Sequence, residues 1–164
     1  MHITLHQAVW LLIPALPMGL WIAWSDLSTM RIANKAVLIL GAGFLVFGLI
    51  ALPVDEYLWR LLQLVVVLVI GFVLNAAGLV GGGDAKYAAA MAPFFARQDG
   101  ILVLQLFAAM LLGAFVAHRL AKRIPAIRRA TAGWKSWDAG RDFPMGLALS
   151  GTLIAYLLLP FLVG

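Results

Sequence analysis

The chain has 164 residues, 64% of them hydrophobic and 12% charged, with a net charge of +5 and no cysteine. Charged residues make up about a quarter of an ordinary soluble domain, so this low share at a mean hydropathy of +1.01 points to a multi-pass membrane protein. The missing thiols exclude disulfides, thiolate metal sites and cysteine nucleophiles, and the scattered His2, His6 and His118 do not make a histidine metal site. Basic chains often bind nucleic acid. Here Lys and Arg fall in short segments between apolar runs, where membrane topology places them, so no nucleic-acid partner is expected.

A bilayer-crossing helix takes about 20 mostly apolar residues. In chain order the predicted spans are 8–24, bent by Pro14 and Pro17; 36–52; 57–80, the most hydrophobic; a short segment at 85–96 that either crosses or re-enters; 101–117; and 143–163. The first seven residues carry no Lys or Arg and lead to no small-residue cleavage site, so they do not read as a cleavable signal. No alternation of the β-barrel kind is present. The expected fold is all-α, a polytopic membrane helical bundle of about six segments, with residues 1–164 forming a single membrane-embedded domain.

If every segment crosses, Arg31, Lys35, Lys86 and the basic residues of the loop at about 118–142 share one side, and the other side holds only Arg60 and Arg97 of the 12 basic residues. The positive-inside rule makes the first side cytoplasmic. The loop carries Arg119, Lys122, Arg123, Arg128, Arg129, Lys135 and Arg141 with Trp134 and Trp137. It reads as a basic anchor with interfacial tryptophans; the sharper alternative is a surface helix that binds anionic lipid or a cytoplasmic partner. Gln63, Asn75 and Gln105 lie inside spans and read as interhelical hydrogen-bond glue.

An acid in or at a membrane is costly and marks a functional site by default. Two stand out: Asp26, and Asp84 in the run Gly81-Gly82-Gly83-Asp84. Singly, each has a bland reading. Asp26 suits a helix end or the N-cap of a short turn, and the glycine run suits a loop; it is not a Walker A loop, since no Gly-Lys-Ser/Thr comes after it. The predicted topology, however, puts both acids at the same depth on the cytoplasmic edge. Two close carboxylates share one proton near neutral pH. The ionised member takes a proton from water as that water attacks a peptide carbonyl, and the protonated member polarises the carbonyl and later protonates the leaving amine. Such chemistry needs no metal or cofactor. The glycines predict an unwound main chain that brings Asp84 beside Asp26 and leaves room for an extended substrate. Lys86 is either an ordinary basic anchor or a cation that favours the ionised form of Asp84.

Three motifs resemble a known family. Asp26-Leu27-Ser28-Thr29-Met30-Arg31-Ile32-Ala33-Asn34 is similar to D-x5-I-P-N, Gly81-Gly82-Gly83-Asp84-Ala85-Lys86 matches G-x-G-D-x-K, and Phe143-Pro144-Met145-Gly146-Leu147-Ala148 resembles a proline-glycine motif that opens a last helix. Together they resemble the type IV prepilin peptidases, the bacterial branch of the GxGD membrane aspartic proteases. The resemblance implies that Asp26 and Asp84 are catalytic and that Asn34, Gly81, Gly82, Gly83, Lys86, Pro144 and Gly146 shape the site. It implies a substrate, a prepilin or pseudopilin, with a basic leader and an apolar helix. That leader would be cut at the cytoplasmic face of the bacterial inner membrane, with membrane lipid as the other partner. Ala33 stands where the family has proline, which predicts a looser turn. The chain begins almost at the first catalytic helix and lacks cysteine, as in the short enzymes that serve tight-adherence (Flp-type) pili, so no N-methyltransferase activity is expected. A transporter using the same two acids to bind a cation or relay protons is the competing reading; edge-placed acids and the lack of an inverted repeat weigh against it.

Overall fold

The computed structural model describes residues 1–140 and 142–163. Among the described residues seven α-helices succeed one another: α1 (Leu5–Thr29), α2 (Asn34–Ala51), α3 (Val54–Ala76), α4 (Gly82–Met91), α5 (Gly100–Arg123), α6 (Pro125–Ala130) and α7 (Met145–Val163). No strand occurs among the described residues, so the chain is an all-α bundle. The α1, α2, α3 and α7 helices, and the helical run Arg97–Arg123, are long and apolar enough to cross a membrane. This is a multi-pass membrane protein.

The α1 helix packs between α2 and α7. A capping box opens it: Thr4 Oγ1 accepts from the Gln7 amide, and Gln7 Oε1 accepts from the Thr4 amide, both at 3.2 Å. Pro14 and Pro17 lie within a continuous helix. Pro14 also sets the approach of α2, because a Cβ on Gly43 would stand 2.4 Å from the Pro14 ring. The α2 and α7 helices pack on α1, and α5 packs on α7. Leu11 and Ile22 of α1, Leu40 and Phe44 of α2, and Leu153 and Tyr156 of α7 are fully enclosed. The outer faces of α3 and α5 display side chains such as Phe72 and Leu112, as suits helices solvated by lipid.

The segment at 85–96 runs from one end of the bundle to the other. Its helix, α4, has only 10 residues, about 15 Å at 1.5 Å per residue, and two 3-10 turns, Ala92–Phe94 and Arg97–Asp99, extend it. It starts beside the C-terminal turn of α1, where Asp26 lies. It ends beside the N-terminus, where Asp99 accepts from the His2 amide at 2.8 Å and from His2 Nδ1 at 2.9 Å. The chain thus reaches the far side by loosening its helix. In lipid the freed backbone groups need protein partners. Arg60 is fully buried and supplies them, donating from Nη1 to the carbonyls of Pro93 and Phe94 at 3.4 and 3.3 Å, while its Nε donates to Glu56 at 3.0 Å. Tyr156 completes the set: its hydroxyl accepts from the Ala96 amide at 3.0 Å and donates to Asp99 at 2.8 Å.

Several expectations need correction. The α3 helix stops at Ala76, not at residue 80, because Gly78 takes φ +73° and Asn75 Nδ2 donates to the Val80 carbonyl at 2.8 Å. Asn75 therefore closes a turn and bridges no helices. Gln105 is exposed on α5. The loop at 118–142 is largely structured, since α5 runs on to Arg123 and α6 comes directly after it. Trp137 is not an interfacial anchor: it is buried, stacked on His118 at 4.8 Å and on Trp134 at 5.7 Å. Arg141 lies outside the described residues.

Replacing Arg60 with Met strips two carbonyls of a donor and leaves Glu56 without its partner. Breaking a buried ionic contact costs about 3–5 kcal/mol, so R60M should unfold in detergent at a clearly lower temperature than wild type. An unchanged unfolding temperature would show that Arg60 does not brace the α4 segment.

Candidate active site

Asp26 sits in the last turn of α1 and is buried. Its helix ends immediately after it: Met30 adopts φ +54°, with its amide bonded to the Asp26 carbonyl. The turn is held by hydroxyls, Ser25 Oγ donating to the Arg31 carbonyl and Thr29 Oγ1 to the Ser25 carbonyl, both at 2.7 Å. The Asp26 carboxylate receives the Gly146 amide on Oδ2 at 2.7 Å. That amide belongs to the first turn of α7, whose N–H groups have no partner within the helix and which carries the positive end of the helix dipole. A Cβ on Gly146 would stand 2.9 Å from Asp26 Oδ2 and 3.1 Å from its Cβ. Only glycine lets the acid lie against the backbone there. Pro144 is buried just ahead of it, and its carbonyl accepts from the Leu147 amide at 3.3 Å.

Asp84 lies in the first turn of α4 and is half-buried. The glycines ahead of it do not form one unwound stretch. Gly82 and Gly83 are helical, and the irregular segment is 77–81. Each glycine instead admits a neighbour. A Cβ on Gly81 would stand 2.7 Å from Asp84 Oδ2, one on Gly83 would touch Ile32 at 3.4 Å, and one on Gly82 would touch the Asn75 amide at 3.5 Å. Gly71 lets α4 close onto α3, with Ala85 3.0 Å from the position of its Cβ.

Asp26 and Asp84 line one cleft of about 330 Å³ together with Arg31, Ile32, Asn34, Gly81, Gly83 and Lys86. Asn34 opens α2 and is exposed at the rim. Lys86 is also exposed, and no ion pair joins it to Asp84 among the described residues. Ala33 holds φ −67°, the value a proline imposes, so the turn keeps proline-like geometry without the ring. Two contributors were not legible in advance. Met30 terminates α1, and Asn75 shapes the turn before Gly81; an asparagine just ahead of a glycine-rich stretch is the signal for the second. Among the described residues no group of three metal-binding side chains occurs.

A family model described as the type IV leader peptidase family matches residues 12–118. The chain belongs to the type IV leader peptidase family. The match runs from α1 into α5 and includes both acids. No curated protein and no solved structure matched the chain. The protein is thus a membrane-embedded peptidase from a family defined by leader-peptide cleavage.

The close contacts around both acids set a test. Gly146→Ala and Gly81→Ala each put a methyl group on a carboxylate oxygen, and a displacement of about 1 Å at a reacting group can cost on the order of 100-fold in rate. Both should lower leader cleavage by that order. Gly100→Ala, whose Cβ would meet nothing within 4 Å, should cleave as wild type does. Wild-type kcat in G146A would mean that the seat of Asp26 is irrelevant to the reaction.

Proposed function

We propose that Asp26 and Asp84 are the catalytic pair of an aspartic endopeptidase that removes the basic leader of type IV prepilins, with tight-adherence (Flp-type) precursors as the favoured substrates. The observation that carries this reading is the shared cleft: two acids from separate helices line one cavity at one end of the bundle. In this mechanism one carboxyl is protonated and the other ionised. The ionised acid accepts a proton from water as the water oxygen bonds to the scissile carbonyl carbon, and the protonated acid donates to the carbonyl oxygen. On collapse of the tetrahedral species the carbonyl re-forms and the C–N bond breaks; the second acid, until then hydrogen-bonded to the carbonyl oxygen, gives its proton to the leaving amine, and the pair keeps the proton taken from water. The Gly146 amide anchors one oxygen of Asp26, so that side chain needs no reorganisation during the reaction.

We place this cleft at the cytoplasmic edge of the bacterial inner membrane. Trp134 of the basic segment packs edge-on against Trp24 at 5.7 Å, two residues before Asp26, so the segment that carries most Lys and Arg lies at the acid end. Arg60, paired with Glu56, and Arg97, over Trp59 at 5.0 Å, lie towards the other end. That asymmetry supports an inward-facing site. The proposed activity is leader hydrolysis by a single domain, without methyl transfer.

Co-expression with a prepilin and gel analysis of leader removal test the pair. Asp26→Asn and Asp84→Asn should each reduce cleavage by about 10³-fold or more, within the range for loss of a general acid or base, while unfolding near the wild-type temperature. Near-normal cleavage by either variant would end the two-acid mechanism.

A further inference from the structure

We propose that the crevice between α2 and α3 docks the apolar helix of the substrate and thereby sets which peptide bond enters the acid cleft. This rests on the proposed peptidase function and adds the surface that recognises the substrate outside the leader.

The α2 and α3 helices are joined by the tight turn at Leu52 and Pro53 and diverge from it, while α4 packs behind both. The gap is an apolar crevice of about 610 Å³, walled by Gly41 and Ala42 of α2 and Leu64 and Leu68 of α3, and floored by Ala89 and Ala90 of α4. It reaches from Asn34 to Leu45 along one face of α2, about 16 Å at 1.5 Å per residue. In lipid, helices associate by close packing on small residues, because the hydrophobic effect supplies no drive between them. Gly41 fits a missing partner. Gly43, two residues on, is needed by the fold because Pro14 lies against it, whereas a Cβ on Gly41 would meet nothing within 4 Å.

The crevice is also continuous with the acid cleft, since Asn34 and Lys86 line both. One end of the groove is therefore the mouth of the site. A leader peptidase cuts between the leader and the mature chain, so an apolar helix near the start of the mature chain, seated here, delivers the residues just before it to Asp26 and Asp84. This fixes a direction: the substrate helix runs parallel to α2, away from the acids. A second copy of the chain or a lipid acyl chain would show no such register.

The chain has no cysteine, so disulfide mapping is unambiguous. In an Asp26→Asn background, a single cysteine at Leu38 or Leu45 would be oxidised with a synthetic precursor. That precursor would carry a basic leader, a glycine, and a Leu/Ala helix of about 20 residues with one movable cysteine. Leu38→Cys should link to a position near the scissile bond, and Leu45→Cys to one about seven residues further on, since both helices rise about 1.5 Å per residue. No link, reversed order, equal linkage from Leu112→Cys on the outer face of α5, or linkage between two enzyme copies would each overturn the proposal. As an independent reading, Gly41→Trp should raise KM for the helix-bearing precursor at least tenfold and leave kcat/KM unchanged for a soluble peptide that ends shortly after the cut. An unchanged KM for the precursor would assign the crevice to lipid and overturn the proposal. Linkage requires no hydrolysis. A precursor that links in register but is left uncut by wild type would therefore sink the two-acid reading while supporting the crevice.

Discussion

The hydrogen bond from the Gly146 amide to Asp26 joins residues 120 positions apart and ties the last turn of α1 to the first turn of α7. A buried bond of this kind contributes on the order of 1–3 kcal/mol. Its larger consequence is geometric. It requires glycine at 146, since a side chain there would collide with the acid. It also brings two helix termini together, the C-terminal turn of α1 and the N-terminal turn of α7, and α4 then adds a third terminus that carries Asp84. The cleft is a meeting of helix ends, where backbone groups are free and acids can be solvated by amides and water.

The opposite end of the bundle meets the same constraint differently. There the chain must cross on a helix too short for the distance, and every peptide group released by the 3-10 turns needs a partner inside the protein. Arg60 and Tyr156 provide such partners through side chains, and Asp99 in turn accepts from the Tyr156 hydroxyl. One set of buried polar groups thus braces the α4 segment and another lines the cleft. Between them the helices touch largely through apolar and small residues, as at Gly43 on Pro14 and Gly71 on Ala85, with the Tyr87–Ser150 hydrogen bond at 2.9 Å joining α4 to α7. That arrangement leaves the crevice between α2 and α3 as the notable break in the packing, and it opens onto the acids.

Much of the fold was legible because membrane solvation is a strong filter. Five long apolar runs with basic residues between them have few other solutions, and the observed helices begin close to the predicted starts, whereas α1 and α5 run on past their predicted ends and α3 and α4 stop short of theirs. The failures share a cause. Asn75 looked like interhelical glue and Trp137 like an interfacial anchor because their types are common in those roles. Their actual partners, the Val80 carbonyl and the His118 ring, depend on turns that no periodicity encodes. The glycine run was read as one flexible loop, although only Gly81 among its three glycines lies outside the helix. Ala33 looked like a loosened turn, but its φ is set by the surrounding chain and not by its own side chain.

By itself, the sequence determined that the chain spans a membrane with all-α segments, and it singled out Asp26 and Asp84 as acids whose cost in that solvent demands a reason. Spacing and hydropathy are enough for this, because lipid penalises every unpaired polar group. Only the tertiary structure decided that both acids line one cleft, that a backbone amide from the last helix holds one of them, and that an apolar crevice leads to that cleft. Those facts depend on which helix ends meet, and helix ends are brought together by contacts between residues far apart in the chain.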